Sequence, residues 1–209
     1  MLWRAEPQPK ARFLREVRFL AGRPGASFPA FLGSGESAGR AWMALELLEA
    51  YPLPSEDEEV ARYLLEVGAA VEALHAAGWL HRDIKPGNIL RRADGHAVLV
   101  DLGLLKQFGK AKATGKGSGV ASSTVSVVDG RPVGVGTPGY AAPEQFDGGE
   151  ATPATDVYAL GILGDACFGG RPPSNWEGIL GKATNAVPRR RYPNVGEMMA
   201  AIRGRGAPA

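Results

Sequence analysis

The chain is poor in the residues that staple or metallate small proteins: one cysteine, Cys167, and three histidines in 209 residues. A lone thiol cannot close an internal disulfide, so a reducing cytoplasm is the simple expectation for its compartment. So few sulfur and imidazole groups suggest no transition-metal site. Neither charge sign is in excess: 24 Lys and Arg against 22 Asp and Glu leave a formal net charge of +2. A balance so near neutral points to neither nucleic acid nor a membrane as partner. No apolar run reaches the ~18 residues of a membrane-crossing helix. No secretory signal is expected either, because Met1-Leu2-Trp3-Arg4 runs straight into Glu6-Pro7. The remaining composition, 44% hydrophobic and 22% charged, is that of an ordinary globular protein. The length suits one domain, or one large and one small lobe. The 29 glycines fit a chain with many turns.

The most informative stretch is His81-Arg82-Asp83-Ile84-Lys85-Pro86-Gly87-Asn88-Ile89-Leu90. It sets an ammonium two residues, and an amide five residues, after a carboxylate. Apolar pairs flank it, Trp79-Leu80 before and Ile89-Leu90 after. Such a loop is expected to be pinned by buried strands with its polar side chains pointing out. A carboxylate beside an ammonium suits deprotonating a hydroxyl while balancing phosphate charge. The amide is a neutral oxygen ligand suited to Mg²⁺.

Four motifs in chain order carry a family resemblance. His81–Asn88 resembles the catalytic loop of eukaryotic-type (Hanks-type) protein kinases, H-R-D-L-x-x-x-N, and Lys85 resembles the serine/threonine branch. Val98-Leu99-Val100-Asp101-Leu102-Gly103 resembles the strand and D-F-G metal motif, with Leu102 in place of the usual Phe. Gly136-Thr137-Pro138-Gly139-Tyr140-Ala141-Ala142-Pro143-Glu144 resembles the end of the activation segment. Asp156-Val157-Tyr158-Ala159-Leu160-Gly161 resembles the start of the buried helix that follows.

The resemblance covers about residues 11 to 203 and implies an α+β, protein-kinase-like fold. Residues 1–48 would be a reduced small lobe of one helix and two strands. Residues 49–209 would be a mostly helical large lobe with the catalytic loop and activation segment. The implied reaction moves the ATP γ-phosphoryl group to a serine or threonine hydroxyl of a protein, with Mg²⁺. The implied catalytic residues are Asp83, Lys85, Asn88 and Thr137. Glu46, Leu48, Leu90 and Lys85 are the implied nucleotide contacts, with Leu45 as gatekeeper; Asn88 and Asp101 are the implied metal ligands. The same resemblance makes Asp156 a buried support for the catalytic-loop backbone and Arg191 the partner of Glu144. It sets Glu16 at the glutamate position of the small-lobe helix.

Periodicity and caps supply the elements. Phe13, Leu14, Val17 and Leu20 share a face of a helix over 11–21 that Gly22 can end. Residues 28–33 and 40–48 read as strands. Gly33–Gly39 between them reads as a hairpin turn, because it leads into a strand and not into a phosphate-binding helix. Ser55 and Glu58 read as a capping box. The helix it opens carries Val60, Tyr63, Leu64, Val67, Val71 and Leu74 on one face and ends at Gly78, with His75 a packed or capping residue. Residues 105–123, with Lys106, Lys110, Lys112 and Lys116 and no acid, read as a loose stretch. It is either a solvated loop or a carrier of phosphorylation sites with Arg82 as their partner. Residues 124–133 read as a hairpin turning at Asp129-Gly130. Helices are expected over 154–168, 176–184 and 195–203, the last opened by Asn194 and Glu197.

Two departures from the family pattern stand out. The stretch between Pro173 and Trp176 is short. The glycine-rich loop and the strand lysine that grips the α- and β-phosphates precede the small-lobe helix in that family, whereas ten residues precede Ala11 here. The first three small-lobe strands are therefore expected to be missing, which would weaken catalysis. A non-catalytic pseudokinase or scaffold, binding a protein partner through the uncovered small lobe, is the rival reading. A small-molecule kinase of similar fold is a third.

Overall fold

The computed structural model describes residues 10–22, 25–108, 126–128, 131–133 and 135–205. Its core forms around α3 (Pro153–Cys167), a helix with buried residues on nearly every side. A helix without a polar face has to be enclosed. Here α2 (Asp57–Ala76), α4 (Ser174–Ala183) and α5 (Val195–Gly204) enclose it. Two glycines set how closely α4 approaches. A Cβ on Gly161 would lie 2.7 Å from that of Ala183, and one on Gly164 2.8 Å from Leu180.

Helix α2 buries Val60, Tyr63, Leu64, Val67, Val71 and Leu74, the stripe its spacing predicts. Its start differs from expectation. The helix begins at Asp57 with Glu56 as N-cap and no side-chain cap, so Ser55 lies one residue too early and the Ser55–Glu58 capping box does not form. Tertiary bonds explain the shift. The Asp57 carboxylate accepts from Trp176 Nε1 at 2.7 Å, Arg205 Nε at 2.9 Å and Asn175 Nδ2 at 3.0 Å. These contacts tie the first turn of α2 to α4 and to the end of α5. At the other end Gly78 takes φ +79 and donates to His75 O at 2.9 Å.

Helix α1 (Lys10–Ala21) rests on β1 (Phe31–Ser37) and on the Leu102–Leu104 turn. Leu20 is buried and Phe19 meets Phe28 edge to face at 5.2 Å. Leu14, expected on the same buried face, is 37% exposed. The cover over α1 comes mainly from its C-terminal half. Strand β1 pairs with β2 (Arg40–Leu45) and runs on through Ser37, so the turn shrinks to Ala38 and Gly39, both at positive φ. That is the two-residue hairpin geometry that matches strand twist. The Trp42 ring explains one glycine of β1: a Cβ on Gly35 would come within 2.8 Å of it. Pairing covers 31–37 and 40–45, shorter at both outer ends than the expected 28 and 48.

Two small sheets hold residues 81–88 at either end. In one, β5 (Ile89–Arg91) lies between β3 (Glu49–Ala50) and β6 (Ala97–Leu99), with Leu90 opposite both Ala50 and Val98. In the other, β4 (Trp79–Leu80) pairs with β7 (Lys106–Gln107). The start of the stretch expected to be loose is thus a strand, because Trp79–Leu80 offers it a backbone edge. Residues 109–123, with Lys110, Lys112 and Lys116, lie outside the described residues. Strands β8 (Ser126–Val128) and β9 (Arg131–Val133) pair antiparallel, as the hairpin reading predicts. Asp129 and Gly130 lie outside the described residues. No helix among the described residues is long and apolar enough to cross a membrane.

One ion pair clamps the helical part. Arg191 Nη1 and Nη2 each donate to an oxygen of Glu144 at 2.8 Å. Arg191 also bonds the carbonyls of Asn185, Ala154 and Ala186, and Thr155 Oγ1 donates to Glu144 Oε1 at 2.9 Å. Burial pushes the Glu144 carboxyl up, but the Arg191 and Thr155 bonds outweigh it and hold it below the usual carboxylate range. Removing one partner of a buried pair strands the other, so Arg191→Ala should cost roughly 3–5 kcal/mol. Because the folded-state value is depressed, this stabilisation is complete above the ordinary carboxylate range and disappears as pH falls through the folded value. Thermal unfolding of both chains across pH should show a wide gap at neutrality that narrows in acid.

Candidate active site

A buried carboxylate supports the 81–88 loop from within the core. Asp156, 0% exposed in the first turn of α3, accepts from the backbone N–H of His81 at 2.9 Å and of Arg82 at 2.8 Å. The His75 ring, at the end of α2, bonds it through Nε2 at 2.8 Å. Burial pushes the Asp156 carboxyl up; the His75 bond and the loop N–H groups outweigh it, so it stays below the usual range. Arg82 takes φ +69, a conformation that L-residues resist. Gln145 Nε2 caps its carbonyl at 2.9 Å, and its guanidinium grips Leu104 O. His81 is neutral by construction: Nδ1 accepts from the Asp83 N–H at 3.2 Å while Nε2 donates to Val100 O at 3.3 Å. Burial lowers its pKa and so favours that form.

Around Asp83 four donors converge. Thr137 gives its N–H and Oγ1–H to Oδ1 at 3.1 and 2.6 Å. Lys85 Nζ and Asn88 Nδ2 donate to Oδ2 at 2.8 and 3.0 Å. Lys85 Nζ also reaches Thr137 Oγ1 at 2.6 Å, which joins the loop to the later Thr137 segment. Burial raises the Asp83 carboxyl, and the Lys85, Thr137 and Asn88 bonds more than cancel that, so its pKa is lowered. The result is an ionised carboxylate with roughly one donor per lone pair. Asp83, Lys85, Asn88 and Thr137, expected together from sequence, are together.

Asn88 and Asp101 are neighbours through the backbone, since Val100 N–H donates to Asn88 O at 2.9 Å. The Asn88 amide nitrogen is committed to Asp83, so Oδ1 is the atom it can offer a cation. Asp101 stands at φ +60 at the head of the Leu102–Leu104 turn. An amide oxygen and a carboxylate are both hard donors of the type that suits Mg²⁺. Glu16 Oε1 accepts from the Leu102 N–H at 3.2 Å, so α1 docks directly on this turn.

The model of the protein kinase domain matches residues 10–190. The chain belongs to the protein kinase domain family. It is similar to bacterial serine/threonine members. Serine/threonine-protein kinase PknA of Mycobacterium tuberculosis is 31% identical over 215 residues, 93% of this chain and 46% of that protein. The DNA damage-responsive serine/threonine-protein kinase RqkA of Deinococcus radiodurans is 35% identical over 175 residues, 78% of this chain and 24% of that protein. Serine/threonine-protein kinase PknE of Mycobacterium bovis is 30% identical over 196 residues, 88% of this chain and 32% of that protein. The chain spans less than half the length of each of these relatives.

In this kinase domain the four residues expected to touch the nucleotide come from three places, with Lys85 in the 81–88 loop just before the Pro86–Asn88 turn. Glu46 and Leu48 follow β2, and Leu90 is the middle residue of β5; Leu48 and Leu90 are partly buried. The Glu46 side chain is turned to Arg92 and to the Ala30 N–H, a role that no local pattern announced. Gln145 was also missed. Its amide joins Arg82 O to Val135 O, and its Oε1 accepts from the Ala142 N–H. Only its place beside Pro143-Glu144 could have drawn attention to it. His75, read as packed or capping, instead supplies the third donor to Asp156.

These bonds rank the supports of the loop. Asp156→Ala leaves two buried N–H groups without partners, each worth about 1–3 kcal/mol. His75→Ala removes one donor to the ionised carboxylate and should cost about 1.5–3 kcal/mol. Urea unfolding should show the larger loss for Asp156→Ala. Equal losses would remove the loop N–H groups as the source.

Proposed function

We infer that the chain transfers the γ-phosphoryl group of ATP to a serine or threonine hydroxyl of a protein. The observation that carries this is the ionised Asp83 held by Lys85, Asn88 and Thr137. The serine/threonine kinases named above, and Lys85 two residues after Asp83, support the choice of acceptor. Glu46 and Leu48 would bind adenine through backbone groups, with Leu90 beneath the ring. Asn88 Oδ1 and the Asp101 carboxylate would hold Mg²⁺, which would supply neutralisation of phosphate charge. Residues 1–48 act as the small lobe and 49–209 as the large lobe, a division supported by the pairing of β3 with β5.

The crowding of Asp83 suggests the order of events. With two donors on each oxygen, the carboxylate has no vacant lone pair for a substrate hydroxyl. Lys85 is the mobile donor, since its partly exposed ammonium sits on a flexible stem. A γ-phosphate draws that ammonium away by its greater charge, which opens Oδ2 to the incoming hydroxyl. Thr137 and Asn88 keep the carboxylate aimed meanwhile. Asp83 then takes the hydroxyl proton as the oxygen attacks phosphorus and the bond to ADP breaks. Positioning and charge neutralisation carry most of the catalysis in such a transfer. Among the described residues no glycine-rich loop covers the phosphates, so low turnover is expected of these residues alone.

The test is Asp83→Asn. It should lower phosphotransfer by roughly 10²–10⁴-fold; the amide meets four donors with one acceptor oxygen and so costs some stability too, and circular dichroism at the assay temperature checks that the variant is folded. Labelled ATP with a generic basic protein as acceptor measures the transfer. Unaltered turnover would remove Asp83 from the mechanism.

A further inference from the structure

Arg92, just after β5, ties together three segments remote in sequence. Its Nε lies 3.1 Å from both oxygens of Glu46, and Nη2 lies 2.6 Å from Oε1. Nη2 also donates to Phe28 O at 2.9 Å, and Nη1 donates to Ala26 O. Glu46 Oε1 takes a further bond from the Ala30 N–H at 2.9 Å, and the Glu46 N–H donates to Ala30 O at 3.0 Å. Beside them the Leu99 N–H donates to Ser27 O at 3.0 Å. The linker 25–30 between α1 and β1, the residue after β2 and the β5–β6 hairpin are thus one bonded unit. The Arg92 and Glu46 side chains are only 22% and 23% exposed, so water screens the pair incompletely. The preceding residue offers a contrast. Arg91 meets Glu49 at 3.3 Å with both side chains well exposed.

We propose that Arg92 is a positioning residue for the nucleotide: it locks Glu46 and the 25–30 linker onto the β5–β6 hairpin, and so fixes the spacing between the Glu46–Leu48 backbone and Leu90. This rests on reading Glu46, Leu48 and Leu90 as the adenine contacts. Leu90 and Arg92 are two residues apart, so the floor of the site and its clamp belong to one stretch of chain. A guanidinium fork is needed, because it must meet a carboxylate and two carbonyls at once. The compact ammonium of lysine cannot do so. Without the clamp the hinge samples other spacings. Apparent affinity then falls by the fraction of chains that remain competent.

The experiment compares the full chain with Arg92→Ala, Arg92→Lys and, as a charge-matched control, Arg91→Ala. ATP with Mg²⁺ is titrated by calorimetry, and amide hydrogen exchange is followed at Ala30, Glu46 and Leu99 without nucleotide. Near-ultraviolet circular dichroism confirms that each variant is folded. Arg92→Ala should weaken ATP binding roughly tenfold, as a fall to a tenth in competent population gives, and speed exchange at all three amides. Arg92→Lys should recover little of either, and Arg91→Ala should match the parent. ATP binding by Arg92→Ala that equals or exceeds the parent, or unchanged exchange, overturns the proposal. If the parent itself does not bind ATP, the nucleotide reading fails, and the positioning role falls with it. The exchange data then decide separately whether the clamp exists.

Discussion

Everything functional in this chain depends on one carboxylate that cannot reach water. Asp156 is enclosed in the core helix and is held ionised by the donors around it. Its lone pairs are the only place the N–H groups of His81 and Arg82 go within the described contacts. The strained Arg82 backbone, the direction of Asp83 and the start of the Pro86–Asn88 turn all follow from that anchor. A buried carboxylate is costly unless its oxygens are satisfied. The same requirement makes the anchor rigid, because any displacement of the loop would leave both charge and N–H groups unpaired.

The acidic groups of the domain divide by what surrounds them. Asp156 and Glu144 are structural: each is enclosed and bonded, one to the loop backbone and one to Arg191. Asp83 is also bonded on both oxygens, but one of its donors is an ammonium that is partly exposed. That difference separates a carboxylate that holds the fold from one available to a reaction. Neutral His81 adds no charge to the loop and spends both ring nitrogens on geometry.

Helix α1 and the 25–30 linker meet the later part of the chain through several polar contacts, among them Arg15 Nη1 to Leu105 O at 2.7 Å and the Leu99 N–H to Ser27 O at 3.0 Å. Glu16 on α1 reaches the Leu102 N–H, and Arg92 reaches Glu46 and the carbonyls of Ala26 and Phe28. The Glu16 contact holds the Leu102–Leu104 turn, and the Arg92 contacts hold the residues on either side of β1 and β2. Leu20 and Phe28 belong to the same buried apolar cluster as Leu99, Leu102 and Leu105, with Phe19 packed against it. Position is therefore set by hydrogen bonds, and adhesion by burial.

Much of this was legible in the sequence. The 3.6-residue spacing of α2 named its buried stripe, since local periodicity records which face meets the core. The spacing within His81–Asn88 placed Asp83, Lys85 and Asn88 together, because a short loop with a three-residue turn keeps them within reach of one another. The tertiary structure alone decided contacts that join distant segments. Gln145 meets Arg82 across 63 positions and Arg92 meets Glu46 across 46. Helix α2 starts at Asp57 and not at a Ser55 cap, because Trp176 and Arg205 compete for its first turn. A cap, a turn or a stripe is encoded within a few residues. A hydrogen bond between remote groups depends on the path of the whole chain, and only the folded core determines that path.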